Sequence, residues 1–318
     1  MSTLNAIVHT LRHEADDVIG VDLKPAAGTV FPRFEAGSHI DLHLPNGMVR
    51  SYSLTDPSEG RSRYSLGILN DKASRGGSRC VHQQLRVGMP IVISAPRNNF
   101  RLHEDAGYSV LVAGGIGITP ILCMARRLKQ LGRPFELHYF ARSRRGAAFL
   151  EEIEQEGLPA TLRFDDEAGG PPDLKTILGQ RAPDARTHHY ACGPTVMLDA
   201  FERACAELGH PHAHIERFSA TEVAAAPDAR QTFTVELKRS GRSFAITPGK
   251  SILDTLLDAG VNAEYSCQEG ICGACETKVV SGIPDHRDSV LSDDEHASNK
   301  VMMICVSGCK TPTLVLDL

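Results

Sequence analysis

Cys267-Gln268-Glu269-Gly270-Ile271-Cys272-Gly273-Ala274-Cys275, followed at a distance by Cys305, sets the frame for this 318-residue chain. The spacing is C-x4-C-x2-C with a remote fourth cysteine, the plant-type [2Fe–2S] arrangement. Each iron of such a cluster takes two thiolates, so a tight loop wraps one side and a distant residue closes the other. Gly270, Gly273 and Ala274 lack bulk, so the loop can curl and aim backbone N–H groups at sulfur. Zinc is the competing reading, but zinc sites usually carry two C-x2-C pairs, and only one is present here. The spacing predicts one-electron chemistry, with electrons arriving from elsewhere in the chain.

Upstream of the cysteine loop, residues 233–237 and 243–246 predict strands, and Ser251 is placed to cap a helix over residues 251–259. Residues 313–316 predict a closing strand. Residues 221–230 (TEVAAAPDAR) have no apolar periodicity and read as a linker. The cysteine block is therefore expected over residues 231–318.

Residues 105–220 alternate apolar strands (108–113, 135–140 and one ending at 191) with helical stretches (120–131, 173–178 and 194–208). That order predicts a parallel α/β sheet. Gly114-Gly115-Ile116-Gly117-Ile118-Thr119-Pro120 lies between a strand and a helix, where such sheets offer a helix N-terminus to a pyrophosphate. Thr119 is expected to cap that helix and Pro120 to fill its first position. A second turn, Cys192-Gly193-Pro194, stands at another strand end, so Cys192 could pack near a nicotinamide or be a small buried residue. Glu136 sits too early in its strand to hold a ribose diol. Arg142 and Ser143 are better placed, whereas Arg144 and Arg145 read as a solvated basic turn or a 2′-phosphate contact.

Residues 1–104 carry short strand-like runs (39–44, 49–54, 64–69 and 90–94) with Gly, Pro and Asn between them, predicting an antiparallel β-barrel or sandwich. Arg50, Tyr52 and Ser53 combine a phosphate partner, a stacking ring and a hydroxyl. Ser74, Arg75, Gly76, Gly77 and Ser78 resemble a phosphate cradle. Together they point to a flavin site ahead of the nucleotide domain.

Lys and Arg number 34 against 39 Asp and Glu, a net charge of −5, which argues against nucleic-acid binding. No stretch reaches the length of a membrane span. Residues 1–15 contain no apolar core of a secretory signal, and the nine cysteines then suggest a reducing cytoplasm and metal ligation. Cys80, Cys123, Cys192, Cys205 and Cys309 read mostly as small buried residues. His210, His212 and His214 alternate ahead of Glu216-Arg217-Phe218, without the cysteines or carboxylates of the usual metal spacings. Asp285-His286-Arg287-Asp288 reads as an exposed partner-binding loop or a solvated turn.

Taken in order, R-S-Y-S-L at Arg50, R-G-G-S at Arg75, G-G-I-G-I-T-P at Gly114, A-R-S at Ala141, C-G-P at Cys192, E-R-F at Glu216 and the four cysteines resemble the ferredoxin–NADP reductase superfamily. More closely, the chain resembles reductases of Rieske-type oxygenases, of the phthalate dioxygenase reductase and vanillate demethylase reductase kind. The resemblance implies a barrel for flavin, an α/β domain for pyridine nucleotide and an α+β β-grasp ferredoxin domain. It implies FMN held by Arg50, Tyr52 and Ser53, with Gly67, Ile68 and Leu69 along it and Ser74 to Ser78 on its phosphate. NADH would lie over Gly115, Ile116, Gly117, Ile118, Thr119, Arg142, Ser143, Cys192, Gly193 and Pro194, with Phe218 near the flavin. Ser53 and Cys192 would help hold the reacting rings. The [2Fe–2S] cluster on Cys267, Cys272, Cys275 and Cys305 would pass electrons to a terminal Rieske-type oxygenase. Other acceptors, a di-iron monooxygenase or a cytochrome, fit the same electron chain. A cytoplasmic monomer is expected.

Overall fold

The computed structural model describes residues 3–57, 62–219 and 232–318, and the predicted linker 221–230 lies outside them. The chain divides into two compact units, Met1–Phe218 and Ser219–Leu318.

The first unit opens with β1 (Thr3–Ala15), β2 (Val18–Pro25), β3 (Ser38–His43), β4 (Val49–Ser53), β5 (Tyr64–Leu69) and β6 (Pro90–Ser94). They pair antiparallel in the order β4-β3-β6-β1-β2-β5, and a short β7 (Arg97–Asn98) joins β3. A bridge between Leu54 and Leu66 joins the two edges, so the sheet closes into a barrel and hides backbone groups that an open edge would expose. Val8, Val21, Leu23, Ile40, Leu42, Leu66 and Ile68 fill its interior. Helix α1 (Gly77–Gln84) packs its Cys80 and Val81 into the same core.

Next come β8 (Tyr108–Gly114), β9 (Phe135–Ala141), β10 (Ala160–Phe164), β11 (Thr187–Cys192) and β12 (Ala213–Glu216). All pair in parallel, in the order β10-β9-β8-β11-β12. From β8 the chain first builds outward through β9 and β10, then returns to lay β11 on the other side. The C-terminal ends of β8 and β11 therefore flank a topological switch point, where such sheets place ligands. Helices α2 (Ile118–Gln130), α3 (Leu150–Gln155), α4 (Asp165–Ala168), α5 (Leu174–Leu178) and α6 (Thr195–Leu208) connect the strands. In α2 the apolar residues Ile118, Ile121, Leu122, Ala125 and Leu128 recur at helical spacing and are all buried. Arg127 and Lys129 favour its C-terminal dipole, and Gly132 turns the chain at φ 64°. The predicted cap differs: a 3-10 turn, Gly115–Gly117, precedes the helix, and Thr119 Oγ1 donates to the Ile116 carbonyl at 3.0 Å. That turn moves the helix start upstream, leaving Thr119 inside the first turn.

One core runs through this unit. Ala36 and Phe100 of the barrel side share it with Leu111, Ile118, Tyr139 and Phe149 of the α/β side. Arg126 of α2 adds a polar tie, donating to the Thr55 carbonyl at 2.9 Å and to Glu152 and Glu156 at 2.6 Å.

The second unit has β13 (Phe233–Leu237), β14 (Ser243–Ile246), α7 (Ile252–Asp258), β15 (Glu276–Ser281), β16 (Pro284–Asp285), α8 (Asp293–Ser298), β17 (Val301–Met303), β18 (Gly308–Cys309) and β19 (Thr313–Leu316). Its mixed sheet runs β14-β13-β19-β15-β17, with β13 and β19 parallel. Helix α7 packs Ile252, Leu253 and Leu256 onto Val235, Leu314 and Leu316, as a β-grasp fold requires. Ser251 caps α7 by accepting from Asp254 N at 3.0 Å, an interaction of about 1 kcal/mol.

Candidate cofactor sites

Two glycine turns meet at the switch point. Gly117 lies so close to the end of β11 that a Cβ there would sit 2.2 Å from the Cys192 carbonyl oxygen. Gly193 in turn packs against Gly114, where a Cβ would be 3.0 Å from its Cα. Only glycines let the turns after β8 and β11 nest in this way. Gly115 differs: it adopts φ 53°, and its missing side chain faces open space. The open cradle and the N–H groups at the start of α2 suit a pyrophosphate.

Arg142 and Ser143 end β9 on the same edge. Arg142 is exposed, while the Ser143 hydroxyl caps a 3-10 turn by accepting from Gly146 N at 3.3 Å. Arg144 pairs with Glu167 at 3.2 Å and lies over Phe164, and Arg145 pairs with Asp16 at 3.2 Å. Both guanidiniums are thus engaged by carboxylates. Glu136 pairs with Arg181 and His138 away from this edge.

Cys192, Ser53 and Glu216 form a second feature. Parallel register sets Cys192 of β11 opposite Glu216 of β12. Ser53, at the end of β4, donates to Glu216 Oε2 at 3.3 Å. Burial pushes the Glu216 carboxyl up to about 8, against a weaker lowering by the Ser53 hydroxyl. Burial, and then Glu216, raise the Cys192 thiol well above its ordinary value. Cys192 is therefore neutral and buried, with no thiolate to act as a nucleophile. Glu216 escaped the site reading because only the fold brings it to Ser53 and Cys192; its one sequence signal was membership of E-R-F. Phe218, two residues on, is 39% exposed.

On the barrel, Arg50 and Tyr52 share a face of β4, and Ser53 follows on the other. Gly77 lies under Arg50, where a Cβ would be 2.7 Å from the arginine Cγ. Arg50 thus reaches across the start of α1. No side chain caps that helix; Gly76 precedes it at φ 113°, and Ser74 Oγ accepts from Gly76 N at 3.1 Å. Uncapped N–H groups beside an arginine form a cradle that fits a phosphate. Ser78 is buried and accepts from Asp71 N at 3.2 Å. Gly67 takes a packing role: a Cβ there would meet Phe149 at 2.7 Å and Thr119 at 2.8 Å. Ile68 is fully buried in the barrel, and Leu69 packs on the core shared with the α/β part.

In the second unit Cys267, Cys272, Cys275 and Cys305 are buried and form no disulfide. Their thiols converge: Cys267 hydrogen-bonds with Cys272 and Cys275 with Cys305, and Cys267 also acts on Cys305. Two irons, each taking two thiolates, ask for four such donors close together. Backbone N–H groups already point at sulfur: Glu269 N lies 3.3 Å from Cys267 Sγ, and Cys267 N lies 3.4 Å from Cys272 Sγ. Gly270 (φ 70°) has no room for a side chain beside Val306 and Asp288. The donor set fits a [2Fe–2S] cluster. Asp288 departs from the expected solvated turn: its side chain is fully buried and accepts from Val290 N and Leu291 N. Cys80, Cys123 and Cys205 are buried, while Cys309 is partly exposed.

The 2Fe-2S iron-sulfur cluster binding domain family matches residues 235–310. Phenoxybenzoate dioxygenase subunit beta of Ectopseudomonas oleovorans is 48% identical over 100% of this chain and 98% of its own. Tetrachlorobenzoquinone reductase of Sphingobium chlorophenolicum is 46% identical over 100% and 99%. Among solved structures, phthalate dioxygenase reductase, described as modular for electron transfer from pyridine nucleotides to [2Fe–2S], superposes with a TM-score of 0.74 at 37% identity, over 100% of this chain and 98% of its own. An intact type IV self-sufficient cytochrome P450 monooxygenase gives 0.89 at 38% identity, over 99% of this chain but 41% of the larger protein. No helix among the described residues is long and apolar enough to cross a membrane. The chain is an oxidoreductase of the family that includes phthalate dioxygenase reductase and vanillate O-demethylase oxidoreductase.

Proposed function

We propose that this chain is the NADH-dependent reductase of a Rieske-type oxygenase system acting on aromatic acids, with the electron route NADH, FMN, [2Fe–2S], oxygenase. Four buried cysteines, free of disulfides and spaced C-x4-C-x2-C with a remote fourth, carry the reading, since that donor set suits a one-electron centre at the exit. A bound flavin supplies the conversion from paired to single electrons.

The chain's own residues bind and orient. Arg50, Tyr52 and the Ser74–Ser78 loop hold the flavin and its phosphate. Gly115 to Thr119 and Gly193-Pro194 hold the pyrophosphate of the dinucleotide, and Arg142 with Ser143 takes its adenosine side. Arg144 and Arg145 are occupied by Glu167 and Asp16, which favours NADH over its 2′-phosphorylated form. Ser53, Glu216 and Cys192 form a neutral floor that orients the reacting rings. Functionally the chain divides at residues 1–104, 105–220, 221–230 and 231–318, and it works as a cytoplasmic monomer.

A cytochrome acceptor is the second reading, favoured by the likeness to the P450 monooxygenase. The test is an anaerobic visible spectrum before and after NADH, for the wild type and Cys305→Ser. The wild type should show flavin bands and an iron–sulfur shoulder, both bleaching with NADH. Cys305→Ser should lose the shoulder yet still bleach its flavin. A wild type purified without air that holds flavin but no iron would overturn the exit route. Delivery to a purified Rieske oxygenase or to a P450 then separates the two acceptors.

A further inference from the structure

Three histidines from separate parts of the first unit converge at the end of the α/β sheet opposite the glycine turns. His188 is the second residue of β11, His214 lies on β12, and His103 precedes β8. His188 and His214 share a sheet face with Cys192 and Glu216, at the other end of the strands. Four residues of strand, about 13 Å, separate His188 from Cys192. His188 Nδ1 lies 2.9 Å from His214 Nε2, and one ligand atom from each of the three rings falls within 4.8 Å of the others.

The rings are held from several sides. Those of His188 and His214 stack at 5.1 Å and 7°, and His103 lies 4.5 Å from His188. Tyr190 packs on His214 at 4.7 Å, and its hydroxyl accepts from His103 N at 2.9 Å. His212 stacks on His188 at 4.3 Å, with its own Nε2 turned to the Ala185 carbonyl. Asp105 is the nearby carboxylate acting on His188.

We propose that His103, His188 and His214 bind a divalent transition-metal cation, such as Ni²⁺ or Zn²⁺, at the edge of the sheet remote from the dinucleotide site. Ligand nitrogens stand about 2.0–2.1 Å from zinc, so two of them at angles of 90–109° lie about 2.9–3.4 Å apart. The His188–His214 separation already falls at that spacing. Imidazole suits these borderline cations, and three histidines with an open position make a common ligand set. Imidazole ligates in its neutral form, which predominates at pH 7 for an ordinary histidine. The N–H now shared between His188 and His214 moves to the far nitrogen of its own ring, so two neutral tautomers present lone pairs and no proton leaves the pair. The ion would tie together β11, β12 and the segment before β8.

The test uses the full-length protein with its flavin and cluster in place, after removal of adventitious metal. Ni²⁺ is titrated calorimetrically while the visible spectrum monitors the cluster, and melting is recorded with and without Ni²⁺. One equivalent should bind with the spectrum unchanged, and melting should rise, since a ligand of the native state stabilises it. His103→Ala alters an exposed ring, so it should fold normally and weaken binding at least about tenfold. His188→Gln/His214→Gln should abolish the bound equivalent, whereas His286→Gln, in the second unit, should leave it intact. The proposal fails if no stoichiometric binding occurs, if the His103→Ala affinity is unchanged, or if His286→Gln removes the bound ion.

Discussion

Gly117 shows how little tolerance the nucleotide turn has. Its neighbour is backbone, the Cys192 carbonyl and Gly193 N, and neither can rotate away. Gly117→Ala should cost about 2 kcal/mol or more and raise the KM for NADH, because the turns must separate. A melting curve with steady-state NADH oxidation checks this, and an unchanged KM would show that the turn does not hold the dinucleotide. Glu216 poses a different question. Its folded carboxyl titrates near 8 against an ordinary 4.5, so the native state favours the protonated form. That contribution is complete below pH 4.5 and is lost as pH rises through 8. Glu216→Gln keeps the neutral shape, so it should match the wild type at pH 4.5 and melt higher at pH 9. Equal melting at both pH values would sink the assignment. The four cysteines are legible from spacing alone, because cluster geometry fixes their separation along the chain. Glu216 is not, because its meaning depends on strand register.

At the scale of elements, periodicity reads well where one face is buried. β5, β6, β13, β14 and β19 stand where alternation places them, and α7 starts at its predicted cap. The β1–β2 hairpin is invisible to that reading. β1 carries His9, Arg12, His13 and Glu14, and of its thirteen residues only Ala6, Val8 and Ala15 are fully buried, so no apolar alternation survives. β11 holds a less apparent liability. His189 is fully buried, neither ring nitrogen makes a hydrogen bond of good geometry among the described residues, and His210 lies 4.2 Å away. Burial, then His210, lower His189 to about 4 against an ordinary 6.5. The neutral ring's contribution is complete above pH 6.5 and is lost as pH falls towards 4, by about 3 kcal/mol. Melting followed from pH 7 to 4 should show this loss, and His189→Leu should flatten it. A variant with the wild-type acid slope would place the titration elsewhere.

At the scale of the molecule, the barrel and the parallel sheet share a core within one unit, while the four cluster cysteines, Cys267, Cys272, Cys275 and Cys305, belong to the other. Composition and element order make the three kinds of sheet legible. They do not reveal that two of them fuse into one compact body, because the shared core is assembled from residues far apart in sequence. A chain ending at Phe218 should therefore fold, bind flavin and reduce ferricyanide with NADH at a rate within a few-fold of the full protein. It should fail to reduce cytochrome c, a bulky protein acceptor served by the iron–sulfur unit, whereas the small ferricyanide ion takes its electrons directly from the flavin. Loss of the ferricyanide reaction as well would mean that the first unit is incomplete without the second.

The place of β19 has a consequence for how the protein is made. Its residues are the last strand of the chain, yet they lie in the middle of their sheet, between β13 and β15. During synthesis the earlier strands emerge without their central partner, and all four cysteines leave the ribosome before it does. Iron and sulfide can thus meet a finished pocket only after β19 has emerged, and a message cut short before it would yield a yellow protein with no brown in it.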